Sequence, residues 1–381
     1  MKKLLFVFLI FILNAWLGSA QTPIVKGVEL HTQVPAQTQL KLLNALDTLM
    51  LHISKGTPQP IEINQVGSAL SLSVFKDLKG IENNAKGEHY YNPTLLNLYP
   101  VTGNQYFISL AFISNVSTGN PIRAIIDLVA TVDSNIITFS IPVYYLTRSW
   151  KTVKTGNITY HYPDNINISR AKGFDKANTR IASKLGLKPE QFDFYLCNNY
   201  QEIIHLLGYG YDSESAGSIS DGYGVDAHTI FSIMHNEDFS HDTFHYYAAK
   251  IRKKNARNSA AEEGIAYSWG NAYYIDEYGE MISQKQLVPK LKEYLQQNPQ
   301  TSLLELFTKN PMILGGQLKV RSLIASLICD EVERKHGITG IKELINCGRG
   351  DDNYFTVVNK FTGINTSNFN ERVGVLLENY K

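Results

Sequence analysis

Residues 236–267, which read NEDFSHDTFHYYAAKIRKKNARNSAAEEGIAY, decide the interpretation of this chain. Asn236 is a residue type that caps helices, and Glu237 and Asp238 favour a first helical turn. We therefore predict a helix from this point. His241 and His245, at positions i and i+4, then share one helix face, with their Cβ atoms about 5–6 Å apart. At this separation both imidazoles can bind the same metal ion.

A second motif, EEGIAY at residues 262–267, follows at the distance of a helix–turn–helix. The second helix would supply Glu263 as a third ligand and leave a fourth position open for water. Glu262 competes for this place, and only one of the two can face the metal because adjacent helical residues point about 100° apart. The alternative interpretation is a pair of surface or core histidines on an amphipathic helix that binds no metal.

The two motifs together resemble the gluzincin branch of the zinc metallopeptidases, which have H-E-x-x-H on one helix and a glutamate ligand on a following helix, often in E-G-x-A-x-Y. The resemblance covers residues 156–381 and implies a zincin-like fold, with a small sheet and a helical C-terminal half. It also implies that Zn²⁺ is held by His241, His245 and Glu263, since the E-G match favours Glu263 over Glu262.

The chain departs from that family at Asp242, where gluzincins have the glutamate that takes a proton from the zinc-bound water. Aspartate offers the same chemistry but is about 1.5 Å shorter, and a misplacement of about 1 Å can cost on the order of 100-fold in rate. Either the helix lies closer to the metal, or a second water bridges the gap, or the site binds zinc and hydrolyses poorly.

Tyrosines surround both motifs, and each of them fits core packing more readily than catalysis. Gluzincins use a Tyr or His to stabilise the oxyanion, but no tyrosine here aligns with that role. Tyr267, one turn after Glu263, is our candidate for a residue that steadies a metal ligand. The others of this group are Tyr246, Tyr247, Tyr273 and Tyr274.

The organisation predicted for the chain is α+β. Residues 21–150 form a strand-rich accessory domain, with a boundary near 149–156 ahead of the metallopeptidase domain at 156–381. The accessory domain has one helix, at 40–51, and strands at 106–114, 122–132 and 136–146. The second domain has strands at 158–162, 192–197 and 228–234, helices at 171–184 and 201–207, a Gly/Ser loop at 208–224, and mostly helices from residue 237.

Residues 1–20 have the charged start, short apolar run and small-residue end of a secretory signal peptide. The apolar run is too short for the roughly 20 residues that span a bilayer. We therefore predict an exported chain, periplasmic or extracellular, without stable membrane insertion. The net charge of +1 becomes −1 when Lys2 and Lys3 are removed, so composition gives no reason to expect nucleic-acid binding.

Three cysteines are too few for a disulfide scaffold. Cys329 falls in a helical pattern at 322–335 that stops at His336-Gly337, and a second, short helical pattern at 339–346 leads to Cys347. The two cysteines therefore either form a disulfide across an antiparallel helix pair or remain free thiols. The remaining short motifs are weak. They are Arg349-Gly350-Asp351, which we interpret as a loop, four glycosylation sequons (Asn115, Asn157, Asn167, Asn365), and the isolated histidines His205, His228 and His235.

Two functions follow from these observations. The first is a secreted zinc metallopeptidase that acts on peptides or proteins, with Asp242 as general base and the strand at 228–234 as the sheet edge that pairs with substrate. The second is a zinc-binding protein of peptidase fold whose catalysis has decayed and which serves as a binding module.

Overall fold

The computed structural model describes residues 24–26, 30–114, 119–134, 136–213, 223–226, 228–232, 236–272, 281–313 and 318–380. The chain forms two compact units. The first extends to Arg148 and includes the described part of Gln201–Ser218, a segment that the sequence-based division assigned to the second domain. The second contains Ser149–Tyr200 and the chain from Ile219. The predicted signal peptide lies outside the described residues.

The first half of the chain contains both strands and helices, and helices dominate the second half. The strands are β1 Val25–Lys26, β2 Asn92–Pro100, β3 Gln105–Ile113, β4 Ile122–Asp133, β5 Ile136–Ser140, β6 Lys151–Thr155, β7 Ile158–Tyr162, β8 Phe192–Leu196, β9 Tyr209–Asp212, β10 Tyr223–Asp226, β11 Thr229–Ser232, β12 Met312–Ile313 and β13 Leu318–Lys319. The helices are α1 Ala36–Ser54, α2 Ser68–Asp77, α3 Val143–Leu146, α4 Ile168–Leu185, α5 Tyr200–Leu206, α6 Ser240–Ile251, α7 Ser259–Trp269, α8 Gln284–Gln297, α9 Leu303–Lys309, α10 Val320–Ile345, α11 Asp351–Thr362 and α12 Phe369–Glu378.

The first unit is built on a six-stranded sheet in the order β1-β2-β3-β4-β5, with β9 paired to β4. All pairings except β1 with β2 are antiparallel. The central strand β3 is buried from Phe107 to Phe112, as expected for a strand covered on both faces. The α+β class and the strand-rich N-terminal part are thus confirmed.

Two predictions for the first unit were wrong. The predicted strand at 136–146 ends at Ser140 and is followed by α3, because Pro142 has no N–H to donate to a sheet. The unit also contains more than the one predicted helix, since α2 lies at Ser68–Asp77. Its sequence, SALSLSVFKD, alternates apolar and polar residues in a way that resembles a strand more than a helix.

The second unit has a five-stranded sheet in the order β10-β11-β8-β7-β6. The three central strands run parallel, and β6 and β10 lie antiparallel at the two edges. A core of aromatic and aliphatic residues joins this sheet to α4, among them Tyr160, Phe174 and Phe194. The prediction that the strand at 228–234 forms the sheet edge was wrong, because β11 is paired on both sides and β10 is the edge strand.

The helical half of the second unit packs around α7 and α10. Gly264 of α7 lies against Ala325 of α10, and a Cβ at residue 264 would fall 2.8 Å from the carbonyl carbon and the Cβ of Ala325. The glycine of the EEGIAY motif therefore permits two helix backbones to approach closely. Helices account for most of the described residues after 237, as predicted, with the short hairpin of β12 and β13 as an exception.

Helix α10 is interrupted at the predicted stop. Gly337 has φ 56° and ψ −150°, a conformation that breaks the helix before it resumes toward Ile345. Cys329 is a buried free thiol and Cys347 a half-buried free thiol, so the structure favours the thiol alternative over the disulfide. Among the helices within the described ranges, none combines the length and the apolarity needed to cross a membrane.

Candidate metal centre

Two neighbouring helices bring three potential metal ligands together. His241 and His245 on α6 have their Nε2 atoms 3.3 Å apart. Glu263 on α7 places Oε2 3.5 Å from Nε2 of His241 and Oε1 3.4 Å from Nε2 of His245. One ligand atom from each of the three residues lies within 4.8 Å of the others. The group could hold a metal ion.

The cluster becomes more exposed from His241 toward Glu263. The relative exposure of the side chains is 8% for His241, 18% for His245 and 25% for Glu263. The ring of His241 thus lies on the protein side of the cluster, and the carboxylate of Glu263 is accessible to solvent. A bound ion would have protein ligands on one side and room for water or another small ligand on the other.

Helix α6 starts later than predicted. Asn236 was predicted as the N-cap, but the helix begins at Ser240, after Phe239. The reason is a pair of local turns, in which Oδ1 of Asn236 accepts from the Asp238 N–H at 2.8 Å and Oδ1 of Asp238 accepts from the Ser240 N–H at 2.9 Å. Glu237 is not in the first turn either. It is buried, and its carboxylate accepts from the Asn167 N–H at 2.6 Å.

A backbone carbonyl orients His241. Its Nδ1 lies 2.8 Å from the carbonyl oxygen of Asn271, so Nδ1–H donates there and Nε2 keeps its lone pair toward the cluster. The Asn271 side chain donates to Oδ2 of Asp238 at 3.1 Å and to Oγ of Ser240 at 3.0 Å. The adjacent Gly270 has no room for a Cβ, which would lie 2.9 Å from the His241 nitrogen. The turn after α7 is therefore tied to the first turn of α6.

A carboxylate orients His245. Nδ1 of His245 lies 3.4 Å from Oε2 of Glu262. Glu262 is 1% exposed and also forms ion pairs with Arg252 and, at 3.4 Å, with Nε of Arg257. The two glutamates that compete in the sequence thus face different nitrogens, with Glu263 toward both Nε2 atoms and Glu262 toward Nδ1 of His245.

The pKa values follow from these contacts. Burial lowers the pKa of His245, but hydrogen bonds with Glu262 and Glu263 outweigh burial and bring it to about 9. Burial raises the pKa of Glu263, yet the two histidines hold it well below its usual range. Burial likewise raises the pKa of Glu262, and His245 and Arg252 lower it further than burial raises it. Two ionised carboxylates therefore flank His245, and the cluster attracts a cation, either a proton or a metal ion.

Asp242 lies next to the cluster in the first turn of α6 and is half-buried. Burial is the largest influence on its pKa and raises it, and Glu263 acts in the same direction, whereas His241, His245 and Lys319 lower it. The net effect is a raised pKa, which makes the carboxylate a better proton acceptor than an exposed aspartate.

Tyr267 contacts the first histidine. Its ring packs edge-on against the ring of His241, with centroids 5.8 Å apart, and the side chain is fully buried. The other described tyrosines of the group lie elsewhere. Tyr247 donates to Oδ1 of Asn178 at 2.7 Å, and the hydroxyl of Tyr246 is 3.3 Å from Nδ1 of His228. Tyr273, Tyr274 and His235 fall outside the described residues.

Other sequence motifs do not join the cluster. Arg349 and Gly350 lie between α10 and α11, and Asp351 begins α11 and forms an ion pair with Arg321. His205 lies in the first unit. The supporting roles of Arg252, Arg257 and the Asn271 carbonyl were not anticipated from the sequence. The basic link IRKKNAR between the two motifs was a usable signal for the arginines, whereas no side-chain pattern encodes a carbonyl contact.

Comparison with models of known protein families finds none that matches the chain, and a search of curated proteins finds no similar sequence. The resemblance to gluzincins therefore rests on the motif residues and on the cluster that they form.

Proposed function

We propose that this protein is a zinc-dependent hydrolase of the gluzincin type that cleaves peptide bonds, with His241, His245 and Glu263 as the ligands. The observation that carries the proposal is the spacing of the ligand atoms. Zinc binds histidine nitrogen and carboxylate oxygen at about 2.0–2.2 Å, and a tetrahedron of that radius has edges of about 3.3–3.6 Å. The two Nε2 atoms lie 3.3 Å apart, and the Glu263 carboxylate approaches them through different oxygens, Oε1 at 3.4 Å from His245 and Oε2 at 3.5 Å from His241. One ligand atom from each residue lies within 4.8 Å of the others, so the group is close to the size of a zinc site.

The chemistry of the donor set favours zinc over the hard cations. Mg²⁺ and Ca²⁺ prefer six or more oxygen ligands, whereas two imidazoles with one carboxylate suit zinc. Three protein ligands with a solvent-accessible side are the arrangement of catalytic rather than structural zinc sites. The partners of both Nδ1 atoms support this assignment, because they fix each ring with Nε2 toward the ion.

When bound, zinc would lower the pKa of a water molecule to about 7 and polarise the substrate carbonyl. Asp242 would accept the proton of the attacking water on its carboxylate and pass it to the leaving amine. Glu262 and the Asn271 carbonyl would hold the two imidazole rings in orientation. Tyr267, whose hydroxyl is buried, would act by packing against His241 rather than by touching the substrate.

The second candidate is a zinc-binding module without catalysis, and the shorter side chain of Asp242 is what favours it. We also propose export of the chain, on the basis of the signal-peptide pattern at residues 1–20, and peptides or proteins as its substrates.

Hydrolysis of casein and of a mixed quenched-fluorescent peptide library tests the proposal. We expect activity that a chelator removes and zinc restores, and that is absent from a His245→Ala variant. A His161→Ala variant is the matched control, because His161 pairs with Asp193 at the surface and not with the cluster. A zinc-loaded wild-type protein that hydrolyses none of these substrates would favour the binding module.

A further inference from the structure

The first unit contains a cavity of about 270 Å³. It is lined by residues of β3, β4 and β5, by the segment before α2, and by α3 with the turn that follows it. Its volume lies just below the range of about 300–1,000 Å³ that is usual for small-molecule sites. The cavity is therefore of a size for a small organic ligand.

The cavity has one positively charged group and no acidic one. Arg148 is the only Lys, Arg, Asp or Glu among its lining residues. Its guanidinium lies 4.1 Å above the centroid of the Tyr145 ring, and Nη1 donates to the Tyr145 carbonyl at 2.7 Å. These contacts hold the guanidinium in place, and its other donors form no hydrogen bond within the described chain. An arginine held in this way can bind a carboxylate with two parallel hydrogen bonds.

Three further polar side chains at the cavity have unused hydrogen-bonding capacity. Thr102, Gln105 and Ser140 line it, and their side chains form no hydrogen bond with any residue that the structure describes. Asn64, also in the lining, differs because its amide already donates to Thr131 and accepts from the Val66 N–H. The cavity thus presents donors and acceptors that a ligand can use.

An aromatic wall completes the cavity. Tyr144 lines it, and its ring occupies the space where a Cβ at Gly67 would fall, 1.9 Å from Cε2. Gly67 also has φ 66°, a conformation that favours glycine. Glycine at this position therefore lets the ring pack closely. The Tyr144 ring, together with Val66 and Val129, gives the ligand an apolar surface.

We propose that this cavity binds a small organic monocarboxylate with an apolar body, whose carboxylate pairs with Arg148. Such a ligand is either a free acid or the C-terminal carboxylate of a short peptide. The proposal is independent of the metal centre.

Isothermal titration of the whole chain tests this proposal with 3-phenylpropanoate, its amide 3-phenylpropanamide, and the peptide N-acetyl-alanyl-phenylalanine. We expect wild type to bind at least one of the two carboxylates with a Kd in the millimolar range or tighter. The amide, which has the same shape without the charge, should bind at least about 10-fold more weakly. The peptide and the free acid together decide which source of the carboxylate the cavity accepts.

Arg148→Gln should lose at least about 10-fold in carboxylate affinity. Arg349→Gln, which removes the same charge from an exposed position of the other unit, should bind as wild type does. Equal affinity for acid and amide would overturn the proposal, as would full affinity in Arg148→Gln or no binding of either carboxylate by wild type at about 10 mM. The comparison of acid and amide is also made with His245→Ala, which removes a ligand of the metal centre as a competing carboxylate site. It needs no change at Arg148, so it decides the matter even if Arg148→Gln fails to fold.

Discussion

Substitution of Glu262 by glutamine separates the two glutamates that lie side by side on α7. The glutamine keeps the size of the side chain but loses the negative charge that attracts the Nδ1–H group of His245. In the wild type, Nδ1 of His245 lies 3.4 Å from Oε2 of Glu262. Loss of such a contact behind a metal ligand typically costs about 10–100-fold in metal affinity, or about 1.4–2.7 kcal/mol. Glu263→Gln should cost far more, because it replaces a carboxylate that faces both Nε2 atoms.

Glu262→Gln should also lower the free energy of unfolding. Glu262 is 1% exposed, and its ion pairs with Arg252 and Arg257 would become weaker hydrogen bonds. We expect a loss of about 1–3 kcal/mol, less than for a fully buried pair, because Arg257 is 59% exposed and solvent screens its charge.

The assay is competition for zinc between the protein and a fluorescent chelator, with urea unfolding of each variant as the control for folding. We expect wild type to bind zinc most tightly, Glu262→Gln more weakly, and Glu263→Gln most weakly. Unchanged affinity in Glu262→Gln would refute the orienting role of Glu262. A reversed order of the two variants would make Glu262 the ligand.

Three more predictions concern other parts of the chain. Asp242→Asn should retain zinc and lose about 10²–10⁴-fold in the rate of peptide hydrolysis. Asp242→Glu should lower turnover in a site adapted to aspartate, or raise it by up to about 100-fold in a site whose catalysis has decayed. An unchanged rate in Asp242→Asn would remove this residue from the mechanism. Gly264→Ala should reduce the free energy of unfolding, measured by urea denaturation, by about 1–3 kcal/mol, because its Cβ would lie 2.8 Å from Ala325. This steric cost should outweigh the better helix propensity of alanine. A urea midpoint equal to or above that of wild type would contradict the close approach of the two helices. Burial raises the pKa of Asp127 more than the Ser109 hydrogen bond lowers it, so the charged carboxylate destabilises the folded state above the folded pKa and this cost disappears as the pH falls. Asp127→Asn should therefore be more stable than wild type in urea unfolding at pH 8, and the difference should shrink toward pH 4. A difference that grows as the pH falls would refute the assignment.

The sequence predicts the two helices that carry the candidate metal ligands, because their signals are local. The i, i+4 spacing of His241 and His245 and the following motif place both helices. The prediction of helix breaks was mixed. Gly337 interrupts α10 as expected, but the start of α6 was misplaced because two consecutive Asx turns at Asn236 and Asp238 delay the helix. Such turns use the same residue types as an N-cap, so composition alone does not distinguish them.

The order of strands in a sheet, and which of two neighbouring glutamates faces the Nε2 atoms, depend on contacts between residues that are distant in sequence. Whether β11 is an edge depends on its pairing with β10, a short strand just before it in sequence that begins at the end of the Gly/Ser-rich stretch we predicted as a loop. The choice between Glu262 and Glu263 depends on where α7 lies against α6, and the anchor of His241 is a backbone carbonyl 30 residues away. The E-G match pointed to Glu263 only through the resemblance to gluzincins, and the carbonyl contact has no signature in the sequence pattern.

The most direct test of the account is anomalous diffraction on both sides of the zinc K edge, from crystals of the wild-type protein grown in the presence of zinc. We predict one anomalous peak per chain, within about 2.0–2.2 Å of Nε2 of His241, Nε2 of His245 and a carboxylate oxygen of Glu263. The absence of a peak there in zinc-soaked crystals, or a peak bound by other residues with this cluster unchanged, would contradict the account.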